Sequence, residues 1–426
     1  LSQLLTLPQF PAQICPLTNG LTLIHQAIPA TPVVVVDVWV QAGAKLDPED
    51  APGMAHFLEH MIFKGTNRLA AGIFDEAIES RGGLSNAATS YDYAHFFMTT
   101  AVVHLKETLP YLAELLLHPA IPEEEFFRER EVVMDEIRQT QDDPDWLGFQ
   151  TLLENLYPSH PYGRSVLGSQ IQLMQQTPEQ MRAFHRQHYR PDNMSVVVVG
   201  GIEQSQAFDL VSECFAEFET SHFPPLPPPQ PPAYHPPRLT QPYRRELNLP
   251  RLEQARLMMA WLGPGVDSLR SAYGLDLISV LLASGRTSRL VRQLREEQGL
   301  VQGICGNFSL QKESSLFTLT AWLEPQELPQ VEELIRESLL QLQTVPVSEA
   351  ELLRCQRQLC NDYAFSTETP SQLAGLYGYY NTIAQAEQSA IYTRYIQSLQ
   401  PEDIQALAQQ YLSPDCYSAI VMKPLW

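Results

Sequence analysis

The chain has 426 residues, an apolar fraction of 44% and a formal net charge of −21. That length calls for roughly two to four domains, and that apolar content builds sizeable cores and excludes global disorder. The negative charge argues against nucleic acid and anionic membrane surfaces, whose phosphates it would repel, and suits a basic peptide.

The opening segment from Leu1 has no basic stretch, and Pro8 and Pro11 interrupt its apolar residues. It does not read as a signal peptide, and no apolar run in the chain is long enough to span a membrane. Residues 13–26 read as a hairpin turning at Asn19-Gly20, a dipeptide suited to the left-handed backbone of a tight turn. Pro32 to Val40 follows as a β-branched strand buried on both faces. A loop carrying Gly43, Pro48 and Pro52 then leads to a helix without Pro or Gly from Met54 to Lys64.

On that helix His56 and His60 are four residues apart and stack on one face, with Glu59 at its edge. Two neutral imidazoles at this spacing make half of a tetrahedral zinc site. Glu59 is too close in sequence to be a third ligand and suits a general base for a water that the metal activates. The order His-x-x-Glu-His is the inverse of the commoner zinc-protease motif.

Phe74 to Arg81 reads as a short helix stopped by Gly82-Gly83, and Leu84 to Thr99 as one strand beginning after that pair. A glycine-bounded strand beside a metal site suggests an edge open to an added peptide strand, although a plain sheet edge suffices for these residues alone. His95 and His104 match no ligand position and read as structural. Leu105 to Leu117 is a leucine-rich helix. The next helix begins after Pro122 and carries Glu123, Glu124, Glu125, Glu129 and Glu136. Glu129 and Glu136, seven apart, share a face, with Val132 and Val133 between them expected to turn inward. A third metal ligand is expected here, and composition does not choose among Glu125, Glu129 and Glu136.

The run Gly53-x-x-His56-Phe-Leu-Glu59-His60-Met-x-Phe-Lys64-Gly-Thr66, followed by Glu129-Arg-x-Val-Val-x-x-Glu136, resembles the pitrilysin (M16) zinc peptidases. It is most similar to their short-chain branch (M16B), which includes the β subunit of the mitochondrial processing peptidase. The resemblance implies one Zn2+ per chain held by His56, His60 and Glu136, with Glu59 as catalytic base. It implies that Glu129 supports catalysis by steering a ligand histidine. It further implies that Asn86 and Ala87 lie on a substrate-holding edge strand. The fold implied is α+β, with two homologous halves of the LuxS/MPP-like metallohydrolase type.

Trp146 to Tyr157 is a mixed stretch, and Pro158 to Gly163 a loop in which His160 is expected to be solvated. Thr177-Pro178 opens a helix with Gln180 at the capping-box position, and Met194 to Gly200 is a strand. Residues 219–242 are crowded with prolines and read as a semi-rigid polyproline connector. It divides the chain into halves at 1–218 and 243–426.

The second half repeats the first: Gln400-Pro-Glu-Asp-Ile echoes Thr177-Pro-Glu-Gln-Met, and Val347-Ser-Glu-Ala-Glu echoes Ile121-Pro-Glu-Glu-Glu. Where the His helix should recur, Ala272 to Ser284 holds no histidine. One half is built for chemistry and the other for substrate contact or a dimer wall. The segment Gly285 to Gln302 resembles the family stretch in which an Arg, and a Tyr seven residues later, contact substrate; Arg295 matches the first and Gln302 replaces the second. Two-chain family members place the zinc on one subunit and the Arg and Tyr on the other. This chain is therefore expected to be the zinc-bearing partner of a heterodimer, with a homodimer as the competing form.

Six scattered cysteines, with no Cys-x-x-Cys pair, suggest no disulfide framework and favour a reducing, cytoplasmic location. The expected function is a zinc endopeptidase acting on peptides or unfolded chains. The alternative is a non-catalytic assembly subunit, and the complete set of metal and base residues counts against it.

Overall fold

The computed structural model describes residues 10–216, 239, 241–250 and 252–425. Apart from Leu239, Gln241 and Pro242, the proline-rich connector lies outside the described residues. The architecture is layered α+β, built on two sheets. The first contains β1 (Gln13–Pro16), β2 (Thr22–Ala27), β3 (Val33–Val40), β4 (Leu84–Thr89), β5 (Ala94–Ala101) and β6 (Met194–Gly200), in the order β1-β2-β6-β3-β5-β4. The second contains β7 (Tyr243–Leu249), β8 (Ala255–Pro264), β9 (Val301–Leu310), β10 (Ser314–Leu323) and β11 (Ser418–Pro424), in the order β7-β11-β8-β10-β9. From β2 onward the first order is reproduced by the second, including the parallel pairs β2–β6 and β7–β11. The internal repeat read in the sequence is thus a repeat of topology.

The expected hairpin forms, with Gly20 at φ +98° in its turn and Ile14 paired with Ile24. β3 and β6 are buried along almost their whole length, as a β-branched strand covered on both faces must be. The stretch read as one strand over 84–99 is instead the hairpin β4–β5, and the Ser90–Tyr93 turn separates its arms. No Gly or Pro marks that turn. It is fixed from outside: the Ser90 and Tyr91 carbonyls accept the amides of Ala44 and Lys45 at 2.9 Å each. Gly43 lies so close to those carbonyls that a Cβ there would collide with them.

Two compact units form, and neither is continuous in sequence. The unit of the first sheet includes residues Phe365–Ile391, and that of the second includes Gln139–Gly163. The helix Pro370–Ile383 therefore covers the first sheet, burying Leu373, Ala374 and Tyr377 against Ile24, Val35, Trp39, Val197 and Val199. Gly378 of that helix lies against the Trp39 indole with no room for a Cβ. In the second unit, the stretch read as mixed over 146–157 is a regular helix, Pro144–Leu156, capped by the Asp143 side chain. Its Gly148 packs on β8 and β11, where a Cβ would meet Met422 at 2.7 Å and Met258 at 2.9 Å.

His160, expected in solvent, is 3% exposed. Its Nδ1 accepts the Tyr162 amide at 3.1 Å, so Nε2–H donates to Glu313 at 2.7 Å. The loop is closed over the β9–β10 turn, and the histidine is its fastening. His95, read as structural, donates from Nδ1 to the buried Asp37 at 2.9 Å and stacks on Trp39.

The helix Pro178–His188 has the expected capping box of Thr177 and Gln180 and packs against the His helix. Its His185 is buried and contacts the Leu116 carbonyl through Nε2 at 2.8 Å. Burial lowers its pKa to about 4, with the carbonyl bond working in the opposite direction. A folded pKa below the unfolded one favours the neutral ring. The associated stability is complete above the unfolded value of about 6.5 and is lost as pH falls toward about 4, amounting to about 3 kcal/mol. Chemical denaturation at neutral and acid pH should show this loss, and His185→Gln, which keeps a donor but does not titrate, should flatten it. An equally steep loss in the variant would assign the acid sensitivity to other groups.

Candidate metal centre

The His helix, Met54–Ile62, buries Met54, Ala55, His56, Phe57, Leu58, Met61 and Ile62, with His56, Glu59 and His60 along one stripe. Its start is fixed by two residues that the sequence reading did not single out for this purpose. Gly53 adopts φ +87°, where a Cβ would also lie 2.6 Å from the Leu167 carbonyl. The buried Asp47 carboxylate accepts the amides of Gly53 at 2.7 Å and Ala55 at 2.8 Å, satisfying donors that a helix start leaves open.

The acidic helix runs Glu123–Gln141 and buries Phe126, Glu129, Val133, Met134 and Ile137. Val132 was expected to turn inward with Val133 but is 48% exposed. The buried stripe follows positions 126, 129, 133 and 137, and Val132 falls just outside it. Phe126 packs on Phe57 with ring centroids 4.7 Å apart, which fastens the two helices together.

This packing brings three donors to one point. The Nε2 atoms of His56 and His60 each lie 3.6 Å from Glu136 Oε2. Among the described residues, His56, His60 and Glu136 offer ligand atoms all within 4.8 Å of one another. The two 3.6 Å separations are too long for hydrogen bonds and lie close to the edge, about 3.4 Å, of a tetrahedron with zinc–ligand bonds of about 2.1 Å. The His56 Nδ1 is buried and has no hydrogen-bond partner among the described residues. Burial, with the neighbouring His60 adding to it, lowers the His56 pKa to about 3, so that ring is neutral and ready to ligate. The Glu136 side chain is 40% exposed, which leaves the centre open to solvent on that side, as a catalytic rather than a structural zinc site requires. The donor set fits zinc. Glu125 is turned away, bound to Arg128 at 2.5 Å.

Glu129 does not join the donors. Its Oε1 contacts His60 Nδ1 at 3.0 Å and its Oε2 the Lys64 ammonium at 2.7 Å. Burial disfavours charge on His60, but the Glu129 bond and the carboxylates of Glu59 and Glu136 outweigh it and raise the pKa. The Nδ1 contact leaves Nε2 to face the metal position. Lys64, just past the end of the His helix, holds the far oxygen of Glu129. Lys64→Met is therefore expected to weaken zinc binding by roughly tenfold, while Lys64→Arg retains most of it. Calorimetric titration of zinc into metal-stripped protein measures this, and an unchanged affinity in Lys64→Met would remove Lys64 from the account.

Glu59 is held from the first sheet. The Thr89 hydroxyl donates to Glu59 Oε2 at 2.6 Å. Burial raises the Glu59 pKa, partly offset by the Thr89 bond and by His60. Thr89 ends β4, the edge strand that also carries Asn86 and Ala87. Alternation places Ser85, Ala87 and Thr89 on the side of the His helix and the exposed Asn86 on the other. The Asn86 Oδ1 accepts the Ala87 amide at 2.9 Å.

Arg295 lies in the other unit, in a π-helical turn over Val291–Glu297, and pairs with Glu296 at 2.7 Å. Gln302 is exposed on β9, the edge strand of the second sheet. Extending the repeat that aligns Val347 with Ile121 puts the buried Cys355 at the place of Glu129 and Asp362 at that of Glu136. The second half thus lacks the donor set. The six cysteines form no disulfide, and no helix among the described residues is long and apolar enough to cross a membrane.

Comparison with known proteins bears on the family and the fold. Residues 22–170 match the family model described as insulinase (peptidase family M16), and residues 176–359 match that of the peptidase M16 inactive domain. The chain is 27% identical over 415 residues to a protein of Helicobacter pylori named zinc protease PqqE, covering 96% of this chain and 92% of that one. It is 28% identical to a protein of Bacillus subtilis named uncharacterized zinc protease YmxG, covering 82% of this chain and 83% of that one. The crystal structure of a protease from Helicobacter pylori superposes with a TM-score of 0.90 at 25% identity, covering 98% of this chain and all of that one.

Proposed function

The chain belongs to the M16 peptidase family, and on that premise we propose that it is a zinc-dependent endopeptidase acting on peptides or unfolded polypeptides. The observation that carries the reading is the convergence of His56, His60 and Glu136 beside a Glu59 held by Thr89. A structural zinc site has no use for a base at that point. Zinc, when bound by His56, His60 and Glu136, would polarise the scissile carbonyl and acidify a water.

The protein's own residues do the rest. Glu59 takes the proton from the attacking water on the oxygen that Thr89 does not hold, and later passes it to the leaving amine. Glu129 keeps His60 in place throughout. β4 offers its open edge to the substrate as an added strand at Asn86 and Ala87. The charge of −21 favours basic peptides.

The zinc-bearing half acts with a subunit that supplies an Arg and a Tyr. Gln302 stands where that tyrosine is expected, and a missing oxyanion donor is typically worth a few kcal/mol of barrier. A heterodimer is therefore the working form we propose, with Arg295 retained on this chain as a substrate contact.

The test is mass spectrometry of the products from unstructured peptides blocked at both termini. Internal cleavage yielding two fragments is expected. Intact blocked peptides beside degraded unblocked ones would make the enzyme an exopeptidase and overturn the proposal.

A further inference from the structure

We propose that Thr89 is a positioning residue that couples the edge strand β4 to the general base, so that one strand both receives the peptide and aims Glu59. The inference deepens the peptidase reading and rests on it. A glutamate on a helix has three rotatable side-chain bonds, and as a free arm it would sample many positions. A base in an acyl-transfer site has to be held within about half an ångström of its productive place.

Glu59 has one such restraint described, the Thr89 hydroxyl at 2.6 Å from Oε2. That restraint is stiff at its source. Threonine is β-branched and restricted at χ1, and its backbone pairs with Ala94 in the β4–β5 ladder. The beginning of β5 is in turn fixed through the Ser90–Tyr93 turn to the loop that leads into the His helix. The hydroxyl leaves Glu59 Oε1 as the oxygen presented to a water. It also makes the base sensitive to the position of an edge strand. Among the described residues β4 has a neighbour on one side only, and a peptide pairing with its open side would fix its position further.

A bystander threonine at the end of a strand would contribute fit alone, and valine would replace it. A positioning hydroxyl makes a different pattern across three proteins, the wild type, Thr89→Val and Thr89→Ser, each loaded with zinc and assayed with the accompanying subunit. In Thr89→Val, kcat for a quenched peptide should fall roughly a hundredfold, because a base misplaced by about an ångström costs that much. KM and zinc content should stay at their wild-type values. Thr89→Ser, which restores the hydroxyl without the methyl group, should recover most of kcat.

Undiminished kcat in Thr89→Val would overturn the proposal, and so would equal loss in the serine variant. Crystal structures of the wild type and Thr89→Val supply a readout that needs no activity. The Glu59 carboxylate should occupy one position in the wild type and several, or a displaced one, in the variant. An unmoved carboxylate in Thr89→Val would refute the positioning role. A wild type that binds zinc but hydrolyses nothing together with its accompanying subunit would instead count against the peptidase reading, and the two failures are thereby told apart.

Discussion

Glu59→Gln is expected to lower turnover by on the order of a thousandfold while leaving the zinc content unchanged. Glutamine has the shape of glutamate, and its carbonyl oxygen can still accept the Thr89 hydroxyl. It cannot take a proton from water at neutral pH, so only the base is lost. Glu59 is not among the three converging donors, and the metal should bind as before. Parallel measurement of kcat and of bound zinc separates the two roles. Near-normal activity would transfer the base to another group, and loss of zinc would mean that Glu59 shapes the centre itself.

Glu136→Gln has the complementary outcome. A neutral amide is a much poorer zinc ligand than a carboxylate, and the two histidines would remain with only a weak third donor. Zinc affinity is expected to fall by at least about a hundredfold, more than is typical for loss of a group behind the ligands. Activity should fall with zinc occupancy and return in part at high zinc. Glu129→Gln should be milder, since Glu129 touches His60 Nδ1 and Lys64 and not the metal position. Full zinc retention in Glu136→Gln would move the third ligand elsewhere.

Some of this centre could be read from the sequence because it is local. Two histidines and a glutamate within five residues of one helix are placed relative to each other by helical geometry alone. The third ligand is not local. Glu129 and Glu136 share a helical face, and periodicity gives them equal claims. What separates them is the packing of Phe126 on Phe57, which sets one carboxylate opposite both Nε2 atoms and the other behind His60. Thr89 and Asp47 were illegible for the same reason, since each acts on the His helix from a different element. The Ser90–Tyr93 turn has no Gly or Pro to mark it, and the amides of Ala44 and Lys45 hold its carbonyls from a different segment.

The fold divides along the same line. The repeat, the capping box at Thr177 and the buried strands carry their signals in the residues themselves. Which sheet a helix covers is not written in its amphipathic pattern. Pro144–Leu156 and Pro370–Ile383 each look like ordinary helices of their own half, and each packs in the other unit. Gly148 and Gly378, both deep in helices, mark those contacts, because each sits where any side chain would strike a neighbouring strand.

The most direct test of the account is hydrolysis of a quenched fluorescent peptide library by the protein isolated from its own cells with whatever subunit accompanies it. The account predicts cleavage that a zinc chelator stops and added zinc restores. Cleavage indifferent to the chelator, or none from zinc-loaded material, would contradict it.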